Sequence, residues 1–294
     1  MANTVLGLWG MARPMIMLSV ILVYGLGALV ARAFNYGLNV PNFSYGLLTI
    51  VVMSLSIHYV NEYADYETDA LTTTTPYSGG SGAIPNGLIP RELALQAGWV
   101  TLIAGIILSS IGIIAGWLPL INLPILILGA FGGWMYSMPP LKLAWRGWGE
   151  ADNAFLGGIL LPIYGFVVQS RVWDWDAIHA FIPFMLFVFL NLLATTWADR
   201  TADAQVGKYT LATKYTTTSL KTLYVIVAGS AIVFLVICAI DVLLENLAIN
   251  SLIVAPFVIW GAIRYTHTEQ PHASVHTMVV LLIVQTATWY TLGS

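Results

Sequence analysis

Charge is scarce in this 294-residue chain. Only 9% of its residues are Asp, Glu, Lys or Arg, while 58% are hydrophobic. That balance excludes a disordered chain and is too apolar for an ordinary soluble domain. Cysteine is nearly absent. The single Cys238, inside an apolar run, permits no internal disulfide and reads as a small packing residue. A net charge of -3 with no basic stripe gives no sign of nucleic-acid binding. The glycine-rich loop Tyr77-Ser-Gly-Gly-Ser-Gly-Ala83 lacks the Lys-Ser/Thr ending of a P-loop, which removes the signature of nucleotide hydrolysis. It reads either as an anion cradle of backbone amides or as a flexible linker.

What the chain has in abundance is long apolar runs. A spanning helix needs about 20 such residues, because each advances 1.5 Å through the hydrocarbon. Nine runs qualify, near 14–33, 43–62, 93–116, 120–138, 153–170, 177–198, 219–241, 246–264 and 274–292. The first has no small-residue cleavage pattern and reads as a span rather than a signal peptide. Lys and Arg collect on the cytoplasmic side of short loops. With the N-terminus cytoplasmic, that side receives Arg13, Arg91, Lys142, Arg146, Arg200, Lys208, Lys214, Lys221 and Arg264, and the other side only Arg32 and Arg171. The expectation is an all-α multi-pass membrane protein with nine transmembrane helices, its N-terminus cytoplasmic and its C-terminus opposite. Long polar connections near 70–92, 139–152 and 199–218 fall on the cytoplasmic face, where loops of that length serve as lids or binding segments.

The few acidic residues are concentrated. Tyr63-Ala-Asp65-Tyr-Glu-Thr-Asp69-Ala70 and Trp197-Ala-Asp199-Arg-Thr-Ala-Asp203-Ala204 share the pattern aromatic-Ala-Asp-x-x-x-Asp-Ala, at the cytoplasmic ends of the second and sixth runs. Residues four apart share a helix face, so Asn61, Asp65 and Asp69 form one stripe, and Asp199 and Asp203 another. Like charges at that spacing repel, and a cation between them is expected. Magnesium suits oxygen ligands and commonly joins a few carboxylates to a substrate phosphate. A solvated acidic helix end would explain one copy; two copies on one side favour a site. Glu62 lies beside the first stripe as a further candidate ligand. Arg13, Lys142, Arg146 and Lys208 are candidate partners for a phosphate, although each can equally be a positive-inside anchor. Lys142 is the best placed of the four, because two prolines precede it and stiffen its turn. His58 reads as a hydrogen-bonded histidine at the helix wall. His267, His272 and His276 lack a compact zinc spacing with cysteine partners.

These residues resemble the UbiA superfamily of intramembrane prenyltransferases over nearly the whole chain. The resemblance rests on Asn61-x-x-x-Asp65-x-x-x-Asp69, Asp199-x-x-x-Asp203, Tyr136-Ser-Met-Pro-Pro-Leu-Lys142 and Gly207-Lys-Tyr-Thr-Leu-Ala212. Gly79-Gly-Ser-Gly82 with Pro85-Asn-Gly-Leu-Ile89, Arg146-Gly-Trp-Gly-Glu150 and again Gly207-Lys-Tyr-Thr-Leu-Ala212 look most like the 1,4-dihydroxy-2-naphthoate branch of menaquinone synthesis. Two positions depart: the family usually has Asp where Glu62 stands, and the naphthoate branch often has Asn where Thr195 stands. The resemblance implies one domain over residues 1–294, a bundle around a central cavity, in a prokaryotic inner membrane with the site toward the cytoplasm. It implies Mg²⁺-dependent transfer from a polyprenyl diphosphate to an aromatic acceptor, with decarboxylation if the acceptor is the naphthoate. Asn61, Glu62, Asp65, Asp69, Asp199 and Asp203 would bind metal, and Arg13, Lys142, Arg146 and Lys208 the diphosphate. Asp65, Asp69, Asp199, Asp203 and Tyr136 would be catalytic, with Tyr136 and Tyr63 lending electron density to an allylic cation. Other acceptors of that superfamily, 4-hydroxybenzoate, homogentisate and a tetrapyrrole, stay open. So do a transporter, whose charges belong near the bilayer midplane, and a catalytically quiet subunit of a quinone-using complex.

Overall fold

The computed structural model describes residues 2–72, 79–240 and 245–293. Tyr77 and Ser78 of the glycine-rich loop, residues 73–78 of the first long connection and Asp241 at the end of the seventh run lie outside them. Among the described residues there is no β-strand, only an isolated bridge between Arg146 and Tyr209. The helices are α1 (Ala2–Met11), α2 (Pro14–Ala33), α3 (Val40–Ala64), α4 (Arg91–Ile114), α5 (Asn122–Ser137), α6 (Gly149–Ser170), α7 (Trp175–Gln205), α8 (Thr217–Cys238), α9 (Glu245–Arg264) and α10 (His272–Leu292).

Each of the nine apolar runs became a helix, α2 to α10. Eight are long and apolar enough to cross a membrane. The remaining one, α5, has 16 residues, about 24 Å of rise against a hydrocarbon core of about 30 Å. The extra helix, α1, precedes the first run. At the other extreme α7 has 31 residues, about 46 Å of rise, longer than the hydrocarbon is thick, and its last two turns carry Asp199 and Asp203. Asp174 starts α7 by accepting hydrogen bonds from the amides of Asp176 and Ala177. Within α6 a π turn, Leu156–Leu160, directly precedes Pro162; proline has no amide to donate, and the wider turn absorbs the missing bond.

Packing between helices follows the rule for apolar surroundings, in which close contact between small residues replaces hydrophobic driving force. A Cβ added to Gly27 of α2 would stand 1.8 Å from the Pro162 carbonyl oxygen, and one on Gly165 of α6 would stand 2.1 Å from that of Tyr24. These two glycines let α2 and α6 touch backbone to backbone. The main core around them is aromatic-rich, with Tyr24, Tyr164, Phe166, Phe181, Phe184, Phe187, Tyr224 and Trp289 fully buried. Cys238 belongs to that core as expected. The outward faces are apolar too, with Ile103, Ile107, Ile114, Phe131 and Val236 exposed, as lipid-facing surface should be. A second, smaller cluster joins Met11 and Ala12 to Tyr59 of α3, to Ala83, Ile84 and Ile89 of the first long connection, and to Ala94. That cluster seats the glycine-rich loop at the acidic end of α3.

Candidate functional site

The two acidic stripes meet. α3 ends at Asp65, where the backbone leaves helical geometry, and a further turn Tyr66–Asp69 restarts at once. The fourfold spacing survives the break, because the Asp65 amide donates to Asn61 O and the Asp69 amide to Asp65 O, both at 2.9 Å. The turn packs against α7. Lys208, just past the end of α7, places its Nζ 3.4 Å from Asp65 Oδ2 and 3.5 Å from Asp203 Oδ1. One buried ammonium thus stands between carboxylates from the two patterns. Burial disfavours its charge, but Asp65, Asp203, Tyr136 and Asp199 outweigh burial and raise its pKa above that of an ordinary lysine.

The carboxylates still have unused capacity. Asp65 Oδ1 is buried and accepts no hydrogen bond, and neither does Asp203 Oδ1, which has only the long approach of Lys208. Such orphaned acceptors cost about 1–3 kcal/mol each when nothing meets them. Asn61 Nδ2 donates to Asp65 Oδ2 and to Ser137 Oγ, both at 2.9 Å, which fixes the asparagine between α3 and α5. Burial first, and then the charges of Asp65 and Glu62, push the Asp69 carboxyl up to about 7 against the opposing pull of Arg13 and Lys208. Among the described residues, no three His, Cys, Asp or Glu side chains converge as a ready-made cage. Magnesium fits this donor set nonetheless: it is usually held by one or two carboxylates plus water and substrate phosphate, and Asp65 and Asp203 offer buried oxygen acceptors.

The remaining expected site residues separate into two groups. Tyr136 is within electrostatic range of Lys208, Asp65, Glu150 and Asp203, at the end of α5 facing the acidic pair. Arg13 pairs with Glu62 at 2.6 Å and is within range of Asp69 and Asp65. Glu62, expected among the metal ligands, instead has both oxygens engaged by Arg13 and Ser81. Lys142 takes a left-handed backbone (φ 46°) and lies over the Trp145 ring at 4.9 Å. Arg146 is exposed, its backbone bridged to Tyr209. Among the described residues, neither of these two cations forms an ion pair with Asp65 or Asp203. Tyr63 is covered by the Arg91 guanidinium, 4.5 Å from its ring centre, so it presents less free π surface than expected. His58 Nδ1 donates to Ala12 O at 2.9 Å, as a wall histidine should. His267 Nε2 lies 2.6 Å from Lys221 Nζ, away from the acidic site. Thr195 bonds the Leu192 carbonyl of its own helix.

One organising residue escaped the motif reading. Glu150, 2% exposed, accepts from the Leu211 amide at 3.1 Å and from Thr196 Oγ1 at 3.3 Å. It ties the start of α6 to α7 and to the segment that carries Lys208. The signal was its place in Arg146-Gly-Trp-Gly-Glu150, where a buried carboxylate is out of keeping with a positive-inside anchor. Sequence comparison decides the family: the UbiA prenyltransferase family model matches residues 19–284. This chain belongs to the UbiA prenyltransferase family. A 1,4-dihydroxy-2-naphthoate octaprenyltransferase of Bacillus subtilis (strain 168) is 24% identical over 208 residues, 70% of this chain and 64% of that relative's length. The fold is likewise that of UbiA proteins. A UbiA homologue from Archaeoglobus fulgidus bound to DMAPP and Mg²⁺ superposes with a TM-score of 0.72 at 16% identity, covering 97% of this chain and 98% of the other. An apo UbiA homologue from Aeropyrum pernix K1 gives 0.69 at 17% identity, with 92% and 95% covered. As a UbiA protein of stacked apolar helices, the chain is an integral membrane protein.

Proposed function

We propose that this UbiA chain transfers a prenyl group from a prenyl diphosphate to an aromatic acceptor, with the diphosphate held at the cytoplasmic end of the bundle. The observation that carries this reading is the approach of Asp65 and Asp203, from the two sequence patterns, to the same buried Lys208. Asn61, Asp65 and Asp69 on one side, and Asp199 and Asp203 on the other, are suited to hold Mg²⁺, which when bound neutralises charge building on the departing diphosphate. The chain's own residues do the rest. Lys208 and Arg13 add positive charge beside the diphosphate, and helices α3, α5 and α7 exclude water from the allylic cation. Tyr136 offers its ring to that cation, an attraction of about 1–2 kcal/mol. In the transfer the C–O bond breaks with its electron pair leaving on diphosphate. The acceptor's ring carbon bonds to the prenyl carbon and then loses a proton, or its carboxyl group as CO₂.

The finer assignment is 1,4-dihydroxy-2-naphthoate as acceptor and a long prenyl donor, supported by the name of the Bacillus subtilis relative and by the Arg146–Glu150 and Gly207–Ala212 segments. Purified protein given Mg²⁺, geranylgeranyl diphosphate and a panel of the naphthoate, 4-hydroxybenzoate, homogentisate and a tetrapyrrole should release diphosphate and form one prenylated product. Asp65→Ala and Asp199→Ala should lower that rate by about 100-fold or more, and a chelator should abolish it. No product with any acceptor, or undiminished product from both variants, sinks the reading.

A further inference from the structure

Glu62 sits one residue from the acidic stripe, 1% exposed, with an unusual number of donors around it. Arg13 donates from Nε at 2.8 Å and from Nη2 at 2.6 Å to Oε1. Ser81 donates from its amide to Oε1 at 3.0 Å and to Oε2 at 3.2 Å, and its hydroxyl donates to Oε2 at 2.6 Å. Ser81 lies between Gly80 and Gly82 of the glycine-rich loop. Its neighbour Gly80 has φ +62°, and a Cβ there would stand 2.0 Å from Asp69 Oδ2, so the loop backbone is pressed against a carboxylate of the site. On its far side the loop rests on α1: Ile89 fills the space over Gly7, and Ser81 lies under Gly10. A charge-assisted network of this kind, largely shielded from water, is strong and geometrically specific.

We propose that Glu62 is a positioning residue that clasps Ser81 and Arg13, holding residues 79–83 against Asp69, rather than a ligand of the metal. The charge at this position serves the loop. Arg13 supplies the cation that makes the buried carboxylate tolerable, and Ser81 turns the loop so that Gly80 can approach the site. In its kinetic consequences the proposal rests on the transfer reaction proposed above; in its structural ones it does not.

The test is hydrogen exchange of peptides covering residues 79–90 in detergent-solubilised protein, without substrate or metal. Wild type, Glu62→Gln, Ser81→Ala and the double variant are compared. Either single change should speed exchange at 79–83 by about tenfold or more while α6 and α7 stay protected. The double variant should be no faster than the worse single one, because both changes break the same clasp. With geranylgeranyl diphosphate, both singles should raise KM severalfold and change kcat less, and the Mg²⁺ concentration for half-maximal rate should stay within about twofold. Ser81→Ala keeps the question answerable if Glu62→Gln fails to fold. Loop exchange like that of wild type in the variants overturns the clasp. So does a Mg²⁺ requirement raised about tenfold by Glu62→Gln but not by Ser81→Ala, which is the behaviour of a metal ligand. If wild type makes no product, the proposed reaction falls and the exchange result alone decides the clasp.

Discussion

Lys208 shows why single residues matter in a chain this apolar. Its side chain and that of Asp65 are each 11% exposed, and that of Asp203 only 2%. Removing one partner of such a buried cluster leaves the other charges uncompensated, which costs about 3–5 kcal/mol. Lys208→Met should therefore lower the thermal midpoint markedly when a chelator is present, and added Mg²⁺ should restore it by more than it shifts wild type. An unchanged midpoint in chelator would show that Lys208 is not the counter-ion of the acidic pair. At this scale the motif reading grouped the carboxylates into two stripes by their helical spacing, and named Lys208 only as one of four candidate partners for a phosphate. Among the cations it favoured Lys142 for the two prolines before it, yet of Arg13, Lys142 and Arg146 it is Arg13 that packs against a carboxylate, while Lys142 lies over Trp145. That choice depends on which way each side chain leaves its turn.

Among the elements, α2 and α6 carry the clearest signature of membrane packing. The backbone contact at Gly27 and Gly165 has no room for a methyl group, whereas a Cβ on Gly25, two residues earlier on α2, meets nothing within 4 Å. Gly27→Ala should destabilise the protein in detergent by about 1–3 kcal/mol through forced separation of the helices. Gly25→Ala should be neutral or slightly stabilising, since alanine is the better helix former. Equal thermal midpoints for the two variants would dispose of the close-contact account. Element existence was legible because hydrophobic length is a direct consequence of bilayer thickness. Element ends were less so. The run near 177–198 stops where apolar residues stop, but α7 continues to Gln205, because polar residues sustain a helix once its hydrogen-bonded turns are under way. The ten-residue α1 is too short to register as a span at all.

For the whole molecule, the distribution of Lys and Arg predicts a sidedness that has a direct check. In a Cys238→Ala background, Trp148→Cys, on the acidic side, should react with a membrane-impermeant maleimide only after permeabilisation, and Trp117→Cys, in the turn between α4 and α5, should react in intact cells. The reverse pattern would invert the molecule. By itself the sequence determined the class of solvent, the presence of long apolar helices and the fourfold spacing of the two acidic stripes, because each of these depends on local composition and on spacing along one helix. Only the tertiary structure decided which charges meet. It brought Asp65 and Asp203 to one lysine, laid Lys142 over Trp145 and left Arg146 exposed, and turned Glu62 from the stripe toward Arg13 and Ser81. Those outcomes rest on contacts between segments distant in the chain, fixed by glycine-mediated helix approach and by the small cluster under the loop, and no spacing rule along the sequence encodes them.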